Sequence, residues 1–289
     1  MPVYERKYQT WDGERTSVFH RIMSFSKYTY LQVKGNRVVG RVFLMSFLPF
    51  ILFLGYMYII VNVELLAKLG IPMKGLPAVD SLFFLRFISI QIPFLFFFTL
   101  AIGSSLISND FKHKALPMIL SKPINRWEYI IGKFMVLFSI LSILSWGLGS
   151  FLFFLQTALV SSESHWRQYF WSESFWILPE IIIFSWVIII TLSLISLFFS
   201  SLIKNTRVSG LFFVIFVIGS SVVSGILSEL FHSDIWLIVS PAISIGMIGE
   251  SIFMQGEFVM APWIYLICIW IICIAFLNSR IKAFQFYRE

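Results

Sequence analysis

The chain opens with about forty largely polar residues and then becomes a succession of long apolar runs. An α-helix rises 1.5 Å per residue, so crossing roughly 30 Å of hydrocarbon takes about 20 apolar residues. Six runs meet or approach that length: residues 42–63, 87–107, 134–159, 177–203, 208–227 and 262–277. They predict six membrane-spanning helices. Two shorter apolar pieces, 235–248 and 251–254, are interrupted by Pro241, Gly246 and Gly249. They are too short to span and predict interfacial or re-entrant outer helices between the fifth and sixth spans. Ahead of the first run, Val18, Phe19, Ile22, Met23, Tyr30 and Val33 recur near helical spacing among His20, Arg21, Lys27, Lys34 and Arg37. Residues 17–41 therefore predict an amphipathic helix lying in the headgroup layer, with a plain basic tether as the alternative. The expected fold is an all-α integral membrane protein: a single six-helix domain from residue 42 to 289, preceded by an N-terminal segment, 1–41.

Composition agrees. Of 289 residues, 58% are hydrophobic and 13% charged, and the mean hydropathy is +0.85. A soluble domain carries about 25% charged residues, so this chain has too little polar surface to cover itself in water. Cys268 and Cys273 both sit inside an apolar run and imply no disulfide framework. The polar opening segment is not expected to be a signal peptide. The net charge of +7 points to topology rather than to nucleic acid as a partner. Eighteen of the 22 Lys and Arg fall on one side of the six-span arrangement. They lie before residue 42, in the loop after span two (Lys112, Lys114, Lys122, Arg126, Lys133), at Lys204 and Arg207, and in the tail (Arg280, Lys282, Arg288). Lys68, Lys74, Arg86 and Arg167 fall on the other. The positive-inside rule makes the basic side cytoplasmic, with both termini there, in a multi-pass protein of the cytoplasmic (inner) membrane contacting membrane lipids. Trp166, Trp171 and Trp176 then read as an outer aromatic belt, with a substrate-binding cage as the alternative.

The loop 107–133 is the most informative segment. Lys122-Pro123 should break the chain, and Asn125 followed by Glu128 resembles a capping box that starts a helix at Arg126. Residues 111–120 would form a short helix parallel to the membrane, with Pro117 in its first turn or kinking it. Joined rigidly to two spans, it offers a partner a handle. Phe111, Leu116, Met118 and Ile119 would enter a groove on that partner, Asp110 and Lys114 would be polar anchors, and Arg126 and Glu128 would fix the next helix. The alternative is an ordered loop resting on headgroups.

Other chemistry is missing. No phosphate-binding loop, HExxH, paired CxxC or GxSxG occurs, and the four His lie in separate segments. No charge falls at the centre of a span; the deepest polar groups are Gln91, Gln156 and many Ser, with Glu180 about one turn into its span. Neither a nucleotide site nor an ion relay is visible, so no enzyme or self-powered pump is expected. Small residues, Ser221 and Gly225 in span five and Gly147, Gly149 and Ser150 in span three, suit close helix approach, within the bundle or at a dimer seam. Phe94, Phe97 and Phe98 in span two and Phe212, Phe213 and Phe216 in span five could line an apolar path or simply face lipid.

Over most of its length, from the amphipathic entry helix through six spans to the broken outer helices before the sixth, the sequence resembles the type-2 exporter family of ABC transporter permeases. The residues that carry the likeness are Asp110 soon after span two, Ala115-Leu116, Pro123-Ile124-Asn125-Arg126, Gly132-Lys133 opening span three, and the stretch SLIKNTRVSG at 201–210. Asp110 stands where that family usually has Glu, and Lys114-Ala115 where it usually has Gly-Thr. The order and spacing of these features carry the resemblance, rather than any single motif. It implies half of a translocation pathway, paired with a second permease copy or homologue around spans two and five. Two separate ABC ATPase subunits would drive it through a coupling helix after span two. ATP and Mg would be held by that partner and no cofactor by this chain. The family's habit is export. A non-transporting scaffold or mechanotransmitting subunit of an ABC-type complex is the other reading.

Overall fold

The structure, a computed structural model, describes residues 17–61, 79–120, 124–159, 175–254 and 259–286. About nine-tenths of these are helical and none is in a strand. Among the described residues, six helical stretches are long and apolar enough to cross a membrane: Arg37–Ile60, Ser81–Lys112, Arg126–Ala158, Ile177–Leu202, Thr206–Phe231 and Met260–Ile281. The chain therefore has the make-up of a multi-pass membrane protein.

Five of the six stretches begin ahead of the apolar runs in the sequence, because a helix continues past the hydrocarbon until a capping side chain stops it. Helix α1 (Val18–Lys34) is capped by the Ser17 hydroxyl, which accepts from the His20 amide. The chain breaks at Gly35 and Asn36, so the expected single amphipathic helix over 17–41 ends here, and α2 (Arg37–Met45) already belongs to the first span. After a break at Ser46 and Phe47, α3 (Leu48–Val61) completes it. The Asp80 carboxylate caps α4 (Ser81–Leu106) by accepting from the Phe83 amide at 3.1 Å, six residues before the expected start of span two. Asn125 and Glu128 form the expected capping box at the head of α7 (Arg126–Ser142), so span three takes in Arg126, Glu128 and Lys133. Asn205 caps α10 (Thr206–Phe231), and the last helix, α12, runs from Met260 to Phe286.

The expected helix over 111–120 is two helices, α5 (Ser108–Lys112) and α6 (Ala115–Leu120). Lys114 between them has φ 52°, a left-handed backbone that cannot continue a right-handed helix. Pro117 falls in the first turn of α6, where no intrahelical amide is needed. Lys122-Pro123, Trp166 and Trp171 lie outside the described residues; Trp176 is exposed at the head of α9 (Ile177–Leu202).

Span four is the axis of the bundle. The most apolar window of α9 is 72% buried, against 56% for spans two and three and 17–22% for spans one, five and six. Glycines allow close packing here: a Cβ on Gly103 of α4 would lie 2.1 Å from Ser196 Oγ of α9. Span six is tied to the axis by Trp270 Nε1, which donates to Thr191 Oγ1 at 3.0 Å. Span three is interrupted by a π-helical turn, Ile143–Gly147, before α8 (Leu148–Leu159). Such a turn, and the break after α2, leave main-chain carbonyls without helical partners. Buried Gln91 meets both, its Nε2 donating to Ser46 O at 2.8 Å and Leu144 O at 3.1 Å.

Beyond α10 the chain turns back into the bundle. His232 ends α10 in a left-handed conformation, a 3₁₀ turn spans Asp234–Val239, and α11 runs from Pro241 to Phe253. Ser240 Oγ lies 2.7 Å from Ser221 Oγ, ten residues before the end of α10, so the return reaches about 15 Å back along that helix. The pieces expected at 235–248 and 251–254 divide differently: Pro241 starts α11, and Gly246 and Gly249 do not break it. Gly249 serves close approach instead, since a Cβ there would lie 2.6 Å from the Phe184 ring.

Candidate functional site

The segment between spans two and three is held by a set of buried polar contacts on the basic side of the bundle. Asp110, on α5, lies 2.8 Å through Oδ2 from Lys133 Nζ on α7. The same oxygen accepts the Tyr129 hydroxyl at 2.7 Å. The Lys133 side chain is 3% exposed and that of Asp110 12%. Tyr129 and Lys133 are four residues apart, one helical turn, so both reach the same carboxylate. The Lys133 ammonium also lies over the Phe25 and Tyr129 rings, at 5.4 and 5.6 Å from their centres.

Helix α1 is docked on α7 beside this cluster. Arg21 Nη2 is 2.6 Å from Glu128 Oε1, and its Nε donates to Oε2 at 3.2 Å. Glu128 thus both caps α7, accepting from the Asn125 amide at 3.1 Å, and holds α1. Phe25 lies one turn after Arg21 and packs on Tyr129 and Gly132; a Cβ on Gly132 would come within 2.5 Å of its ring. The Ser26 hydroxyl donates to Gly132 O.

The junction between α4 and α5 is fixed by span four. The amides of Ile107 and Ser108 both donate to Ser200 Oγ at 3.0 Å, and the Ser200 hydroxyl donates to Ser104 O. The Thr206 hydroxyl, at the head of span five, donates to Asn109 Oδ1 at 3.0 Å. Side chains from spans three, four and five therefore converge on residues 107–110. A buried ion pair has a mixed energetic value, because desolvating both ions offsets most of their attraction. It does fix one arrangement, since removing one partner leaves an uncompensated charge.

The expected coupling residues separate into two groups. Phe111 and Leu116 are 8% and 1% exposed, so they are seated in the chain's own core rather than presented to a partner. The reason is that a short amphipathic helix joined to two spans must first cover the bundle on which it lies. Asp110 faces inward to Lys133, and Glu128 to Arg21. Ile119 and Arg126 are half-buried, while Lys112, Lys114 and Met118 face outward, Met118 at 72%. The sequence alone does not mark Arg21, Phe25, Tyr129, Lys133, Ser200 and Thr206 as part of this site. The one-turn pairs Arg21/Phe25 and Tyr129/Lys133 were a sequence signal for a shared helix face.

The second expected set is dispersed. Phe98 is buried against Phe43 of span one. Phe213 is buried and belongs to a stack with Phe96, ring centres 5.1 Å apart, that joins spans two and five within one chain. Phe216 packs on Phe199, Phe94 is half-buried, and Phe97 and Phe212 face outward. Spans two and five, with α11, do border an apolar cavity of about 270 Å³, and Phe97 lines it with Pro93, Val217 and Pro241. Ser221 is engaged with Ser240 inside the chain, whereas nothing lies within 4 Å of a Cβ built on Gly225. Among the described residues, no three His, Cys, Asp or Glu side chains come together as a metal would require.

No family model matches the chain, and no curated protein sequence does either.

Proposed function

We propose that this chain is the membrane-spanning permease subunit of an ATP-driven ABC transporter, an exporter by the habit of the family it resembles. It forms half of the translocation pathway and is driven by separate ATPase subunits on the cytoplasmic side. The observation that supports this reading most is the pair of short helices, α5 and α6, between spans two and three. Helix α5 is pinned to the bundle through Asp110–Lys133, Tyr129 and Ser200, α6 buries Leu116, and Lys112, Lys114 and Met118 face outward. A segment held in this way moves with the spans that hold it, so a push on its outer face is passed to spans two, three and four. Packed interfaces transmit such displacements as rigid-body shifts rather than absorbing them.

In this reading α1 is a brace. Arg21–Glu128 and Phe25 hold it against the foot of span three, beside the coupling segment. The apolar cavity bordered by spans two and five is the part of the pathway belonging to this copy, and a second copy or homologue completes it. The test is affinity purification of the tagged chain from its native membrane in mild detergent. Co-purification of an ABC-type ATPase, with ATP hydrolysis absent from the chain alone, is the expected result. Purification with no nucleotide-hydrolysing subunit, or hydrolysis by the chain alone, would overturn it.

A further inference from the structure

Between the two limbs of the returning segment lies a groove of about 480 Å³. Ile235 and Ile238 of the 3₁₀ turn form one wall, and Met247 of α11 and Met254 just after it form the other. Asp234 and Glu250 stand beside this apolar floor, one on each limb, and both are exposed. Ile235 and Met254 are 73% and 56% exposed, so the apolar lining reaches the surface. Among the described residues, neither Asp234 nor Glu250 makes an ion pair. From residue 229 to 261 the sequence holds four acids, Glu229, Asp234, Glu250 and Glu257, and no Lys or Arg; His232 is the one basic-type side chain.

We propose that this groove binds a net-cationic amphipathic peptide, with apolar side chains between the two limbs and ammonium or guanidinium groups at Asp234 and Glu250. The volume lies within the usual 300–1,000 Å³ of ligand sites, which are apolar with a few placed polar groups. Charge complementarity sets the sign of the occupant: two carboxylates with no basic residue in the segment attract cations. It also decides against an anionic phospholipid, because no Lys or Arg of this segment is there to hold its phosphate. The proposal rests on the groove and its charge. It does not depend on the permease reading, although that reading places the groove on the outer face beside the pathway.

The test uses the full chain in nanodiscs of phosphatidylcholine, which carry no net charge. The probe is a short peptide alternating leucine and lysine, labelled with a neutral fluorophore and read by fluorescence anisotropy against empty nanodiscs. Saturable binding by the chain is expected, weakened about tenfold in the double variant Asp234→Asn, Glu250→Gln. Both side chains are exposed, so these substitutions leave the bundle intact, and an unchanged melting temperature checks this. In the unaltered chain, raising the salt from 0.05 M to 0.5 M should weaken binding as well, and a peptide with glutamate for lysine should not bind. Equal affinity in the double variant, insensitivity to salt, or equal binding of the acidic peptide would each overturn the proposal.

Discussion

Lys133 and Asp110 meet at 2.8 Å across the basic ends of spans two and three, with the lysine side chain 3% exposed. That contact decides what the segment after span two can do, because it ties the segment to the helix that follows. Replacing Lys133 with Met alone should destabilise the protein by about 3–5 kcal/mol, since it leaves a buried carboxylate without its counter-ion. The double replacement Asp110→Leu, Lys133→Met should recover part of that loss, because it removes both charges but leaves the buried Tyr129 hydroxyl without its acceptor. Thermal unfolding of the purified chain in one detergent, read from intrinsic fluorescence, checks both.

Gly103 and Ser196 supply a packing test at the axis of the bundle. A Cβ on Gly103 would lie 2.1 Å from Ser196 Oγ and 2.9 Å from its Cβ. Gly103→Ala should therefore cost about 1–3 kcal/mol by overpacking. Ser196→Gly in the same chain should relieve the clash. The double-mutant cycle, measured by the same unfolding assay, is expected to show favourable coupling between the two sites.

The six spans were legible because a 20-residue apolar run has few other uses, and the capping box at Asn125 and Glu128 because caps are local. Side-chain direction was not. In lipid both the buried and the exposed faces of a helix are apolar, so Phe97 and Phe98 look alike in sequence although one faces outward and the other packs on Phe43. Phe111 and Leu116 carried the pattern of an outward apolar face, but the bundle itself took that face. The Asp110–Lys133 pair depends on which helices become neighbours, which no local pattern records. The π-helical turn at Ile143–Gly147 has no composition of its own and is marked only by Gln91, 53 residues before Leu144.

The distribution of Lys and Arg predicts which side each loop faces, and this can be tested directly. Cys268 and Cys273 would first be replaced by Ser, and single cysteines then placed at Asn205, on the basic side, or at Ile235, on the opposite one. A membrane-impermeant maleimide added to intact cells should label the Ile235→Cys chain and not the Asn205→Cys chain. The reverse pattern would turn the topology over.

The central claim is that the outer face of α5 and α6 meets an ATPase. The most direct measurement places a photo-crosslinking amino acid at Met118, which is 72% exposed on that face, and irradiates the native membrane. Mass spectrometry of the crosslinked product should identify an ABC-type ATPase, and the same crosslinker at Ile235, on the opposite side, should not capture it. Crosslinks from position 118 to lipid alone, with no ATPase recovered, would contradict the account.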